Sequence, residues 1–89
     1  MRILKRTSQF KKDVKRMVKR GKNFDTFKSV IETLAAGEKL SRKYKDHDLT
    51  GQYKGSRECH IEPDWLLIYE RTKDVLILIR TGSHSDLFR

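Results

Sequence analysis

The sequence predicts one α+β domain over residues 1–89, a helical hairpin packed on a mainly antiparallel sheet in the order β-α-α-β-β-β. Three observations predict it. Apolar residues recur at helical spacing from residue 8 to residue 36. From Arg57 onward they fall into short strand-length runs separated by turn residues. The 89-residue length leaves room for only one small core, burying roughly 60–65% of the surface the unfolded chain would expose.

Residues 2–7 form a short first strand. Ser8 is placed to cap a helix running to about Arg20 and stopped by Gly21, with Phe10, Val14, Met17 and Val18 as its apolar stripe. Asn23 is placed to cap a second helix through Ala36, closed by Gly37, with Phe27, Val30, Ile31 and Leu34 facing the core. The short Gly21–Asn23 link folds the two helices back on each other. Residues 38–56 are polar and read as loop. Arg57–Ile61, Trp65–Arg71 and Val75–Thr81 then read as strands, joined by Glu62-Pro63-Asp64 and Thr72-Lys73-Asp74 in an antiparallel meander. The last two are almost continuously apolar, as strands covered on both faces are. A tail to Arg89 follows.

Charge narrows the class of partner. The chain carries 21 Lys and Arg against 12 Asp and Glu, a formal +9. Ten of those cations lie in residues 1–22 with Asp13 as the lone acid, so residues 23–89 are formally neutral. Such asymmetry predicts a polyanionic partner, nucleic acid before membrane; the bland alternative is a solvated helix face. Lys11, Lys12, Lys15, Arg16, Lys19 and Arg20 make up this basic face. No apolar run exceeds five residues and no leader pattern opens the chain, so a cytoplasmic protein with no membrane role is expected. The single Cys59 cannot form an intrachain disulfide and reads as a small buried residue.

The candidate chemistry lies in three histidines, His47, His60 and His84. In a meander, the end of the strand carrying His60 and the start of the strand opened by Trp65 share one edge. The last strand finishes on that edge too, bringing His84 and Phe88 toward His60 and Asp64. Imidazoles suit acid–base work near neutral pH, and on a basic protein they suit phosphodiester cleavage. Trp65 and Phe88 are candidates for stacking on bases, Trp65 equally for the core. A three-histidine zinc site lacks any local His pair or Cys ligand.

Longer segments are more specific. Tyr44-Lys45-Asp46-His47-Asp48-Leu49, then Gly51, Lys54-Gly55 and Arg57, then His60-Ile61-Glu62-Pro63-Asp64-Trp65-Leu66-Leu67-Ile68-Tyr69, and Arg80-Thr81-Gly82-Ser83-His84-Ser85-Asp86-Leu87-Phe88 closely resemble the YafQ toxins of the RelE/ParE superfamily. The resemblance is strong from Tyr44 onward and weaker in the helices. It implies a RelE-like fold and the toxin of a type II toxin–antitoxin system: an endoribonuclease that cuts translated mRNA in the ribosomal A site. It further implies no metal or other cofactor, and neutralisation by a DinJ-like antitoxin. The family's functional positions fall on His47, His60, Asp64, Trp65, His84 and Phe88. Within that set His84 is expected as general acid and His47, with His60 or Asp64, on the base side. Lys54 and Arg57 are candidate phosphate contacts. Two other classes compete: a ParE-like gyrase poison, which needs no histidine cluster, and a noncatalytic RNA- or ribosome-binding protein, which leaves the histidines unexplained.

Overall fold

The computed structural model describes residues 1–88. β1 (Ile3–Arg6) leads into α1 (Ser8–Lys19) and α2 (Asp25–Ala35). After a polar stretch come β2 (His47–Asp48), β3 (Arg57–Glu62), β4 (Trp65–Arg71), β5 (Val75–Gly82) and a one-turn helix, α3 (His84–Leu87). The five strands form one sheet in the order β1-β5-β4-β3-β2. The chain crosses the sheet through the helical hairpin, starts again at the far edge, and steps back strand by strand until β5 meets β1 in parallel. The α+β class and the mainly antiparallel sheet are those expected.

The main core lies between the helices and one sheet face. Phe10 and Met17 of α1 and Phe27, Val30 and Leu34 of α2 pack there on Cys59, Ile61, Trp65, Leu67, Tyr69, Leu76 and Leu78. The Phe10 and Phe27 rings stack across the hairpin with centroids 6.1 Å apart. A smaller cluster covers the other face, where Leu66, Ile68 and Leu87 meet Leu49, Tyr53 and Ile79. That second layer explains why Trp65–Tyr69 are buried without alternation.

Several local expectations are corrected. Thr7, not Ser8, caps α1: its hydroxyl accepts from the Phe10 amide and donates to the Ile79 carbonyl, which fixes the helix start to β5. Phe24 occupies the cap position of α2, and Asn23 instead accepts from the Asp25 amide one residue further out. Val18 is exposed, because the buried face of α1 is turned toward Asp13, which is fully buried. The expected loop 38–56 contains β2 and two 3-10 turns, Arg42–Tyr44 and Gly51–Tyr53, and the expected tail forms α3. Both helices stop at the glycines expected, each closed by a pair of amide-to-carbonyl bonds back into the last turn.

Candidate active site

Strand register decides which side chains share a face. His47 pairs with Glu58, Glu58 with Ile68, and His60 with Leu66. Directly paired residues point the same way, so His47, Glu58 and His60 stand on the sheet face away from the helices. A register shift between His60 and Glu62 ends the β3–β4 ladder beside His60, a common feature next to active sites. β5 finishes at the same end and delivers α3. Ring centroids are 6.3 Å apart for His47 and His60, 6.0 Å for His60 and His84, and 6.2 Å for His84 and Phe88. The Phe88 ring lies edge-on to Tyr53 at 5.7 Å. A hollow of about 310 Å³ opens beside His60, walled by Lys43, Tyr44, Lys45 and Pro63.

The row is wired by two carboxylates. Asp64 Oδ1 accepts from both the His84 backbone amide (3.0 Å) and its ring Nδ1 (3.1 Å), which leaves Nε2 free. Those two bonds, the backbone one foremost, hold the Asp64 carboxyl below its ordinary range. The second carboxylate, Glu58, was not singled out in the sequence. It is 4% exposed, with Oε2 lying 3.1 Å from His47 Nε2 and 3.6 Å from His60 Nε2. Among the described residues its Oε1 has no hydrogen-bond partner. His47 Nδ1 donates to the Lys45 carbonyl at 2.7 Å. Lys45 is the one non-glycine among the described residues with positive φ, +49°, a backbone strain of the sort that clusters at working sites. The signal for Glu58 was strand alternation, which puts residues 58 and 60 on one face. Nothing comparable announces His47 beside it, because the two residues of β2 are too few to show a period.

Two expected contacts are not brought to the site. Trp65 is fully buried on the helix side, in contact with the Phe24 and Phe27 rings, and its Nε1 donates to Thr81 Oγ1. It is a core residue and offers no face to a base. Arg57 pairs with Tyr69 across β3–β4, and so faces the helix side, where its guanidinium binds Asp46 and Asp48. The Tyr69 hydroxyl donates to the same Asp46 carboxylate. This cluster anchors the segment that carries His47. Lys54 stays exposed, next to Tyr53. On the basic helix Lys11, Lys12, Lys15 and Lys19 are exposed, whereas Arg16 and Arg20 turn toward Asp86. Asp13 binds Arg80 through both oxygens and accepts from the Thr81 amide, tying α1 to β5.

Residues 2–89 match the family described as the YafQ bacterial toxin of type II toxin–antitoxin systems. The chain belongs to the YafQ toxin family. The YafQ mRNA interferase toxin of Escherichia coli K12 is 42% identical over 88 residues, which span 98% of this chain and 96% of that protein. A chain of the E. coli DinJ–YafQ complex matches at a TM-score of 0.93 and 41% identity, with 100% of both chains covered. A metal-bound toxin from Helicobacter pylori matches at a TM-score of 0.92 and 43% identity, covering 99% of this chain and 100% of that one. Among the described residues here, no group of three or more His, Cys, Asp or Glu side chains is arranged to hold a metal ion.

Proposed function

We propose that this YafQ-family toxin is a ribosome-dependent endoribonuclease that cleaves translated mRNA in the A site by histidine acid–base chemistry and thereby stops translation. The observation that carries the reading is the row His47–Glu58–His60–His84 on the open sheet face, with Asp64 holding one ring nitrogen of His84. With Nδ1 donating to Asp64, His84 presents Nε2 to the substrate. In its protonated form it delivers that proton to the departing 5′ oxygen, and the Asp64 carboxylate stabilises the imidazolium. The 2′-OH proton goes to the base side, His47 with His60, whose Nε2 atoms both face the Glu58 carboxylate. Exposed Phe88 is available to stack on a base and Lys54 to meet a phosphate. The chemistry is proposed without a metal, as the resemblance implies.

The proposed partner in the cell is a DinJ-like antitoxin with an acidic segment lying over the helical hairpin. A cleft of about 340 Å³ there is lined by Leu4, Phe10, Phe24 and Ile31, and its charged rim, Arg6, Lys28 and Glu32, is net positive, which suits apolar side chains flanked by acidic ones. The deciding experiment maps the ends of an mRNA translated in vitro with the purified protein. Cuts in codon phase support the proposal, and intact mRNA with damaged DNA turns it toward gyrase. His84→Ala is expected to slow single-turnover cleavage about 10²–10⁴-fold. Ribosome binding should hardly change, and the alkaline limb of the pH–rate profile should disappear. Near wild-type cleavage would place the acid elsewhere.

A further inference from the structure

We infer that Arg20 and Asp86 form a clamp between α1 and α3 that positions His84, so that part of the basic helix serves the active site rather than the polyanion. The inference rests on the reading of His84 as proton donor. α3 has four residues, too few to hold a helical shape unaided. Two side chains secure it. Leu87 is buried against the sheet, and Asp86, only 7% exposed, uses both carboxylate oxygens. Oδ2 accepts from Arg20 Nη1 at 2.7 Å and from the Ser83 amide at 2.9 Å, while Oδ1 accepts from Arg20 Nη2 at 2.9 Å. Arg16 Nη1 stands 3.7 Å from Oδ1. Ser83 Oγ in turn accepts from the Asp86 amide, closing a capping box around His84. The packing leaves no slack: a Cβ at Gly82 would lie 2.8 Å from Asp86 Oδ2. His84, by contrast, is exposed, and its ring is hydrogen-bonded to Asp64, itself exposed. The ring's position therefore depends on a backbone that Arg20 and Asp86 fix from behind. A bidentate guanidinium–carboxylate pair supplies direction as well as attraction, and a displacement of about 1 Å in a reacting group can cost roughly 10²-fold in rate.

The test compares Arg20→Gln, Asp86→Asn and the double variant. On saturating ribosomes each single variant is expected to cleave about 10–100-fold more slowly than wild type. The double variant should be no worse than either single one, and Arg20→Lys, which keeps the charge but not the fork, should fall between. In the free toxin, amides of residues 83–88 should exchange faster in both single variants, a readout independent of cleavage. If Arg20 is instead an RNA contact, Arg20→Gln weakens ribosome binding while Asp86→Asn, which releases the arginine, does not slow cleavage. That pattern overturns the clamp. So does unchanged tail exchange, whatever the activity. A wild-type protein that fails to cut translated mRNA would sink the proposed function and leave the exchange comparison to judge the clamp.

Discussion

Trp65 shows how one residue can match a motif and still do a different job. Its indole is wedged beneath α2, with Nε1 satisfied by Thr81, whose hydroxyl passes a bond on to the Leu66 carbonyl. Trp65→Ala should therefore destabilise the fold by about 3–5 kcal/mol. Tryptophan emission of the wild type should stay blue and unquenched on RNA binding. Quenching by RNA would restore the stacking role. Asp86 gives a second residue-scale expectation. Arg20 holds its carboxyl far below the ordinary carboxylate range. A carboxyl depressed in the folded state adds stability above its unfolded pKa of about 3.9, and that stability is lost as the pH falls toward the folded value. Urea unfolding should separate wild type from Asp86→Asn at pH 7 and 5, with the gap closing below about pH 4. A gap that persists unchanged at pH 3 would mean that the side chain acts by shape alone. Burial pushes the Cys59 thiol up to about 12, in keeping with an inert core residue.

At the scale of elements, the short pieces carry the site and the long ones carry the scaffold. β4 and β5 were legible because their apolar runs are dense, and α1 and α2 because their stripes are periodic. β2 has two residues and α3 four, lengths at which neither period nor propensity can be read. β2 exists because β3 offers it an edge and because Arg57 grips Asp46 and Asp48 on either side of His47. Arg57→Gln is accordingly expected to lower cleavage by loosening His47, and to leave the salt dependence of ribosome binding unchanged. A reduced salt slope would instead identify Arg57 as a phosphate contact.

For the molecule as a whole, the +9 charge separates into two populations. Lys11, Lys12, Lys15 and Lys19 are exposed, while Arg16 and Arg20 are drawn to Asp86 and Arg80 to Asp13. Replacing the four lysines by Gln should weaken ribosome binding and flatten its salt dependence by roughly one unit of slope per lost phosphate contact, with the fold intact. Unchanged affinity and slope would make this face a solubilising surface.

What the sequence determined by itself was what local periodicity and composition can encode. The hairpin, the three long strands, the concentration of charge in residues 1–22 and the histidine-bearing motifs are all written in neighbouring residues, and short turns permit few ways of joining them. Tertiary structure alone decided the rest. Alternation puts Glu58 and His60 on one face, but only cross-strand register brought His47 to Glu58, which no spacing along the chain records. Burial under α2 removed Trp65 from the surface although its place at the start of β4 fitted either face. Pairing over more than sixty residues of chain turned Asp13 and Arg20, indistinguishable from surface charges in a basic helix, into supports for β5 and for the turn bearing His84. Side-chain identity fixes which charges a chain has; only the folded geometry fixes which of them meet.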